Sequence, residues 1–280
     1  EFLSTDENSY LLNRATQGAY APGSTFKLVT ALEYMREHGD YNAYGYTCQG
    51  EITYDGVTIA CAGHNVHGDV SLASSLAYSC NTSFSNIGLQ LDIERYRDTA
   101  ETLLFNSKLP CELPYSQSSF TLESSDSSAD RMMTAMGQGK TETSPYHMAL
   151  ITSAIANHGT LMRPYLVDAI TNYSGEIVEN TEPEEYKKLM NEEEAEQLKS
   201  YMQEVVNYGT ASVLSGQGYT VAGKTGTAEY SSDIEKNHSW FVGFTNVDNP
   251  ELAICVLIES SDGQVKAVNV AKEIFDSYYY

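Results

Sequence analysis

A chain of 280 residues with 41% hydrophobic content has enough apolar material for one large domain or two small ones. Its 16 Lys and Arg face 38 Asp and Glu, a formal charge of −22, which argues against nucleic-acid partners and describes an acidic, solvated surface. The longest strongly apolar run, Leu252–Ile258, is far too short to cross a bilayer, and no signal peptide is legible at Glu1, so the chain reads as soluble.

Residues 1 to 20 read as irregular, with Leu11-Leu12-Asn13-Arg14-Ala15-Thr16 as a short ordered turn. Pro22 and Gly23 break the chain before a helix over residues 24 to 38, where Phe26, Leu28, Val29, Leu32 and Met35 share a side and Gly39 closes the run. Ser24 opens this helix and Lys27 follows three residues on, which puts both on one face. The positive end of the helix dipole favours a developing oxyanion and disfavours a further cation, a bias toward the neutral amine. A neutral lysine beside a serine is a base beside a nucleophile. A serine at a helix start is usually only a cap, so the pair needs support from elsewhere.

Residues 51 to 60 form a hairpin pattern with Asp55-Gly56 as its turn. The five cysteines, Cys48, Cys61, Cys80, Cys111 and Cys255, include no CxxC pair and no Cys/His cluster with zinc spacing. His64 and His67 sit in a Gly-rich polar segment that reads as an ordinary loop rather than a metal site. Cys48 and Cys61 flank the hairpin, where an oxidising compartment would permit a disulfide, although an odd cysteine count leaves one over and weighs against it.

A helix starts after Asp69-Val70-Ser71, breaks at Ser79-Cys80-Asn81, and resumes through Phe84, Ile87 and Leu91. Ser79 and Asn81 thus lie at a helix junction, where side chains project into a cleft or merely cap the second helix. Residues 94 to 106 read as an amphipathic helix, and residues 107 to 130 as loop, with 124 to 128 its most disorder-prone part. Gly137-Gln138-Gly139 lacks the rest of a nucleotide fingerprint. Ser144-Pro145 opens a helix that Gly159 ends, a small hairpin surrounds residues 172 to 175, and residues 191 to 208 form a long acidic helix before a short one at 209. Three consecutive strands at 219 to 229, 238 to 246 and 252 to 260 predict an antiparallel meander, with a covering helix at 265 to 278. The class expected is α+β: an antiparallel sheet covered by helices, plus an all-helical subregion.

Three motifs stand in order: Ser24-Thr25-Phe26-Lys27, Ser79-Cys80-Asn81 and Lys224-Thr225-Gly226-Thr227. With Leu11-to-Gly18, Gly137-Gln138-Gly139, Ala228-Glu229 and Trp240-Phe241-Val242-Gly243-Phe244, the chain over nearly its whole length resembles the class B, high-molecular-weight penicillin-binding transpeptidases. That resemblance implies a peptidoglycan D,D-transpeptidase spanning residues 1–280, with peptidoglycan stem peptides as substrates and β-lactam antibiotics as acylating ligands. It implies Ser24 as nucleophile, Lys27 as its base, Ser79 as proton relay beside Lys224, and Asn81 holding the substrate amide. It further implies Thr225 and Thr227 on the substrate carboxylate, Gly226 making room along the strand, and an oxyanion hole from the Ser24 and Thr227 N–H groups. No metal or organic cofactor is implied. Family members begin with a helix and two strands that complete a five-stranded sheet, and carry a non-catalytic domain and a membrane anchor. The expectation is therefore an N-terminally truncated domain lacking those first strands, with Leu252–Ile258 as an exposed apolar edge. The longer protein would act on the extracytoplasmic face of a bacterial membrane in a membrane-bound cell-wall synthesis complex. A serine β-lactamase or β-lactam sensor of the same fold is the first alternative; Asn81 and the absence of a water-activating base oppose it. An inactive wall-peptide binding module is the second, opposed by the intact motifs.

Overall fold

The computed structural model describes residues 10–229, 237–261 and 263–280. The first helix, α1 (Arg14–Gln17), is a single turn. Gly23–Phe26 then forms a 3₁₀ turn, and α2 (Lys27–Glu37) continues from it. Ser24 therefore sits in a tight turn before α2 rather than at the start of a long α-helix. Every residue of α2 from Lys27 to Met35 is buried, so α2 is the axis of the core, wrapped on all sides rather than on one stripe.

Two small β-ribbons follow. Strand β1 (Tyr46–Cys48) encloses a hairpin of β2 (Glu51–Tyr54) and β3 (Val57–Ala60) and pairs antiparallel with β4 (Gly68–Val70), with Cys48 opposite Gly68. The hairpin turn has Asp55 at φ 46° and Gly56 at φ 77°, the double left-handed geometry that Asp-Gly favours. Helix α3 (Leu72–Ala77) starts in a capping box between Ser71 and Ser74. It ends at the Ser79 corner, and α4 (Asn81–Gln90) resumes with Cys80 as its N-cap residue.

Helix α5 (Ile93–Thr102) is shorter than the pattern predicts, because Leu104 and Asn106 take left-handed φ values of 76° and 55°. The serine-rich stretch expected to be disordered is ordered by its own hydroxyls. Ser124 Oγ donates to Glu94 at 2.7 Å, and Ser127 and Asp130 form the capping box that opens α6 (Ser128–Ala135). Helix α7 (Pro145–Ala156) has the expected Ser144 cap and Pro145 first turn. Strand β5 (Thr160–Met162) pairs with β8 (Glu185–Lys188), and between them β6 (Ala169–Thr171) and β7 (Ile177–Asn180) form the small hairpin. The acidic helix α8 (Glu192–Asn207) concentrates Glu192, Glu193 and Glu194 at its positive end, with a capping box from Asn191. A 3₁₀ turn, Ser212–Leu214, replaces the short helix expected at 209.

Strands β9 (Val221–Glu229), β10 (Asn237–Thr245) and β11 (Leu252–Ile258) form the predicted meander, in the order β11-β10-β9, and α9 (Ala267–Tyr279) closes the chain. Among the described residues the sheet has three strands. Among the described residues β11 is the terminal strand of the sheet, paired on one side only; helices α7 and α9 pack on it and leave most of its side chains half-buried. Trp240, Phe241, Val242 and Phe244 of β10 are buried and carry the core between sheet and helices.

Candidate active site

Strand alternation on β9 sorts the Lys-Thr-Gly-Thr motif by face. Lys224 and Gly226 point toward the 3₁₀ turn, while Thr225 and the exposed Thr227 lie on the other side. The approach of turn and strand is close enough to require glycine. A Cβ on Gly226 would stand 3.0 Å from Thr25 Cγ2 and 3.2 Å from Thr25 N. One on Gly23, at φ 54°, would stand 2.4 Å from the Thr227 carbonyl oxygen. Opposite, Gly137 at φ 87° presses on the same turn, where a Cβ would lie 1.8 Å from the Gly23 carbonyl oxygen. Gln138, the next residue, donates from Nε2 to the Thr227 carbonyl at 3.3 Å. Thr25 closes the turn by donating to the Pro22 carbonyl at 2.7 Å. Half-buried Ser24 is thus held between β9 and the Gly137 loop by backbone contacts on both sides.

Below it lie two lysines with no exposed surface, Lys27 and Lys224. Lys27 Nζ donates to the Ser79 carbonyl at 2.8 Å, to Ser79 Oγ at 3.3 Å and to Asn81 Oδ1 at 2.7 Å. Lys224 Nζ donates to Ser79 Oγ at 3.0 Å and to the Thr225 carbonyl at 2.8 Å. The Ser79 hydroxyl is therefore shared by both amines. Ser79 holds a left-handed φ of 55°, an uncommon conformation for serine that turns its side chain and its carbonyl toward Lys27. Asn81 is fixed from behind, where its Nδ2 donates to the Ala60 carbonyl at 3.0 Å.

Burial lowers the Lys27 amine to about 7, opposed by the negative charge that the Cys80 and Cys61 sulfurs can carry. Burial also pushes Lys224 well below the ordinary lysine value, and the charge of Lys27 adds to the effect. Desolvation, not the helix dipole, is thus the main origin of the depressed lysine. The Phe84 ring, 5.4 Å from Lys27 Nζ, supplies a face for whatever positive charge remains.

The structure thus joins Lys27, Ser79, Asn81 and Lys224 in one hydrogen-bonded set and seats Ser24 in the adjoining turn. Thr225 is tied instead to Thr210, hydroxyl to hydroxyl at 2.5 Å, a partner that no sequence pattern marked. An aromatic rim was also illegible in the sequence: His67 stacks on Tyr78 with centroids 5.5 Å apart, and Tyr78 meets Tyr208 edge-on at 5.6 Å. Cys48 and Cys61, expected to flank the hairpin, His67 of the loop and Cys80 of the helix junction converge behind the Ser79 corner. The Cys48 and Cys61 sulfurs are free and 3.7 Å apart, well beyond the ~2.05 Å of a disulfide.

The family model of the penicillin binding protein transpeptidase domain matches residues 1–278. The chain is 28% identical over 279 residues to peptidoglycan D,D-transpeptidase PbpA of Mycolicibacterium smegmatis, covering 97% of this chain and 56% of that protein. It is 29% identical over 277 residues to stage V sporulation protein D of Bacillus subtilis, covering 95% of this chain and 42% of that protein. Among solved structures, penicillin-binding protein A from M. tuberculosis in its imipenem acyl-enzyme complex superposes with a TM-score of 0.89 at 26% identity, over 99% of this chain and 64% of that one. The chain spans about half the length of the curated relatives it matches.

Proposed function

The chain belongs to the penicillin binding protein transpeptidase domain family, and on that premise we propose that it is a serine D,D-transpeptidase acting on peptidoglycan stem peptides and acylated by β-lactams. The observation that carries the reading is the Ser79 hydroxyl held at 3.3 and 3.0 Å by two buried lysines next to the Ser24 turn. Such a set moves protons without an aqueous base, which suits acyl transfer to an amine rather than to water.

Lys27, with its pKa near 7, takes the Ser24 hydroxyl proton as Oγ adds to the carbonyl carbon between the two terminal D-alanines. The carbonyl electron pair moves onto oxygen, where the Ser24 and Thr227 N–H groups receive it; the glycine-tight approach of turn and strand supports that pairing. The C–N bond then breaks, and the departing D-alanine amine receives its proton through Ser79 from the lysine pair. Asn81, braced by Ala60, orients the donor amide. The substrate carboxylate binds the Thr225 and Thr227 hydroxyls, which share one face of β9, with Lys224 buried behind them. An amine from a second stem peptide then attacks the Ser24 ester, forms the cross-link and returns a proton along the same route.

The substrate lies outside the cytoplasmic membrane, so we assign the chain to the extracytoplasmic face, in the company of a membrane-bound cell-wall synthesis complex. No helix of the described residues is long and apolar enough to cross a membrane. Intact-mass measurement after incubation with penicillin tests the reading. A single added penicillin on the native chain and none on Ser24→Ala is expected. An adduct surviving in Ser24→Ala, or rapid turnover of a chromogenic cephalosporin, would overturn it.

A further inference from the structure

We propose that Cys48, Cys61, His67 and Cys80 form a tetrahedral zinc site that fixes the Ser79-to-Asn81 corner. The four ligand atoms lie within 4.8 Å of one another. Cys61 Sγ stands 3.7 Å from Cys48 Sγ and 3.8 Å from Cys80 Sγ. His67 Nδ1 stands 3.4 Å from Cys48 Sγ and 3.7 Å from Cys61 Sγ. A tetrahedral ion with Zn–S near 2.3 Å and Zn–N near 2.05 Å requires S···S of about 3.8 Å and S···N of about 3.6 Å. Those four separations already hold that spacing, and the remaining two pairs lie within 4.8 Å.

The donor set is three thiols and one imidazole, with no carboxylate, which selects a borderline-soft, four-coordinate ion and disfavours magnesium or calcium. Three of the four ligands are buried, and His67 is partly exposed on the rim, which gives the ion an entry path. A surrounding shell is also present. Thr82 Oγ1 lies 3.2 Å from Cys48 Sγ and 3.3 Å from Cys80 Sγ, and the His67 ring is held flat against Tyr78. The ligands come from four places: the end of β1, the residue after β3, the residue before β4, and the N-cap of α4. Their separations along the chain match no short zinc motif, which is why the sequence reading passed over them.

Position supplies the role. Cys80 lies between Ser79 and Asn81, and Cys61 follows Ala60, whose carbonyl accepts from Asn81 Nδ2. An ion bound here ties the two ribbons to the N-terminus of α4. It thereby holds Ser79 in its left-handed conformation under both lysines. The ion touches no reacting atom; Cys61, Cys80 and their partners are positioning residues. The metal site stands on these four side chains, whereas its positioning role rests on the transpeptidase reading.

Purified chain is assayed for metal by inductively coupled plasma mass spectrometry, and about one zinc per chain is expected. Cobalt(II) substituted into the wild-type protein should give an intense thiolate-to-cobalt charge-transfer band, which does not depend on any variant folding. Cys61→Ser and His67→Ala should lose the zinc. Chelator-stripped protein should react with fluorescent penicillin on the order of 10-fold to 100-fold more slowly and recover on adding zinc. Wild-type protein with less than roughly a tenth of a metal ion per chain and no cobalt band overturns the site, as does a Cys48–Cys61 disulfide in the intact mass. Zinc bound with unchanged acylation after stripping overturns the positioning role. Zinc bound in a chain that penicillin never labels overturns the transpeptidase reading while leaving the metal site in place.

Discussion

Gly137→Ala isolates the mechanical seating of Ser24, the proposed nucleophile. The added methyl would lie 1.8 Å from the Gly23 carbonyl oxygen, 2.6 Å from its carbon and 3.0 Å from Phe26 Cβ. Relief to 3.0 Å demands about 1.2 Å of movement (3.0 less 1.8), and the obstacle is backbone one residue from Ser24, not a flexible side-chain end. Displacement of that size at a reacting group costs on the order of 100-fold in rate. A left-handed φ of 87° adds about 1–2 kcal/mol of conformational cost for alanine. Gly175→Ala is the control, since Gly175 has nearly the same φ, 84°, and open space where its Cβ would go. Stopped-time labelling with fluorescent penicillin, alongside thermal melting, separates the two effects. Both variants should carry the conformational cost of the left-handed φ, Gly137→Ala should lose further stability from its backbone clash, and only Gly137→Ala loses about 100-fold in acylation rate. Wild-type acylation by Gly137→Ala would refute the claim that this contact seats Ser24.

Two further outcomes follow from buried polar groups. Lys27 has a folded pKa near 7, lowered by burial from the ordinary 10.5, so between those values the unfolded chain binds the extra proton. Stability should therefore rise with pH from about 7 to about 10, by up to about 1.4 kcal/mol per pH unit, and acylation should rise through about pH 7. Urea denaturation across pH should show a shallower slope for Lys27→Met, with the remainder due to Lys224, and an unchanged slope would sink the assignment. Thr30, fully buried, bonds the Tyr96 hydroxyl at 2.6 Å and the Ala135 carbonyl at 2.7 Å. Thr30→Val leaves Tyr96 short of a partner and should cost about 1–3 kcal/mol in the same assay; a neutral effect would show that the core repacks around it.

Local pattern made the helices, the Asp55-Gly56 hairpin and the meander legible, because each is set by neighbours a few residues apart. The lysine, serine and asparagine motifs were legible for the same reason: a turn, a corner and a strand each announce which side chains they expose. Other features depend on segments meeting from far along the chain. Nothing around Gly137 reveals that the Gly23 carbonyl lies against it, and Thr210 gives no local sign of its bond to Thr225. The cysteines failed to register because their ribbons and helix cap meet only in three dimensions. The depressed Lys27 was expected, but from the dipole; burial on a helix wrapped on every side is the larger cause. The order of residues 124 to 128 was missed because composition counts serines and not the caps they make.

The distances along the chain within the site have a kinetic consequence. Ser79 Oγ meets Lys27 from 52 residues away and Lys224 from 145 residues away. Closing loops of that length costs chain entropy that only the finished contacts repay. The individual helices can form early, but the shared hydroxyl exists only once the last strands have docked on the Gly23–Phe26 turn. A refolding chain should thus regain helical circular dichroism before it can be labelled by penicillin, and on gentle heating it should lose labelling first. Covalent labelling would then report the completion of folding, the step that bulk spectroscopy reads least well.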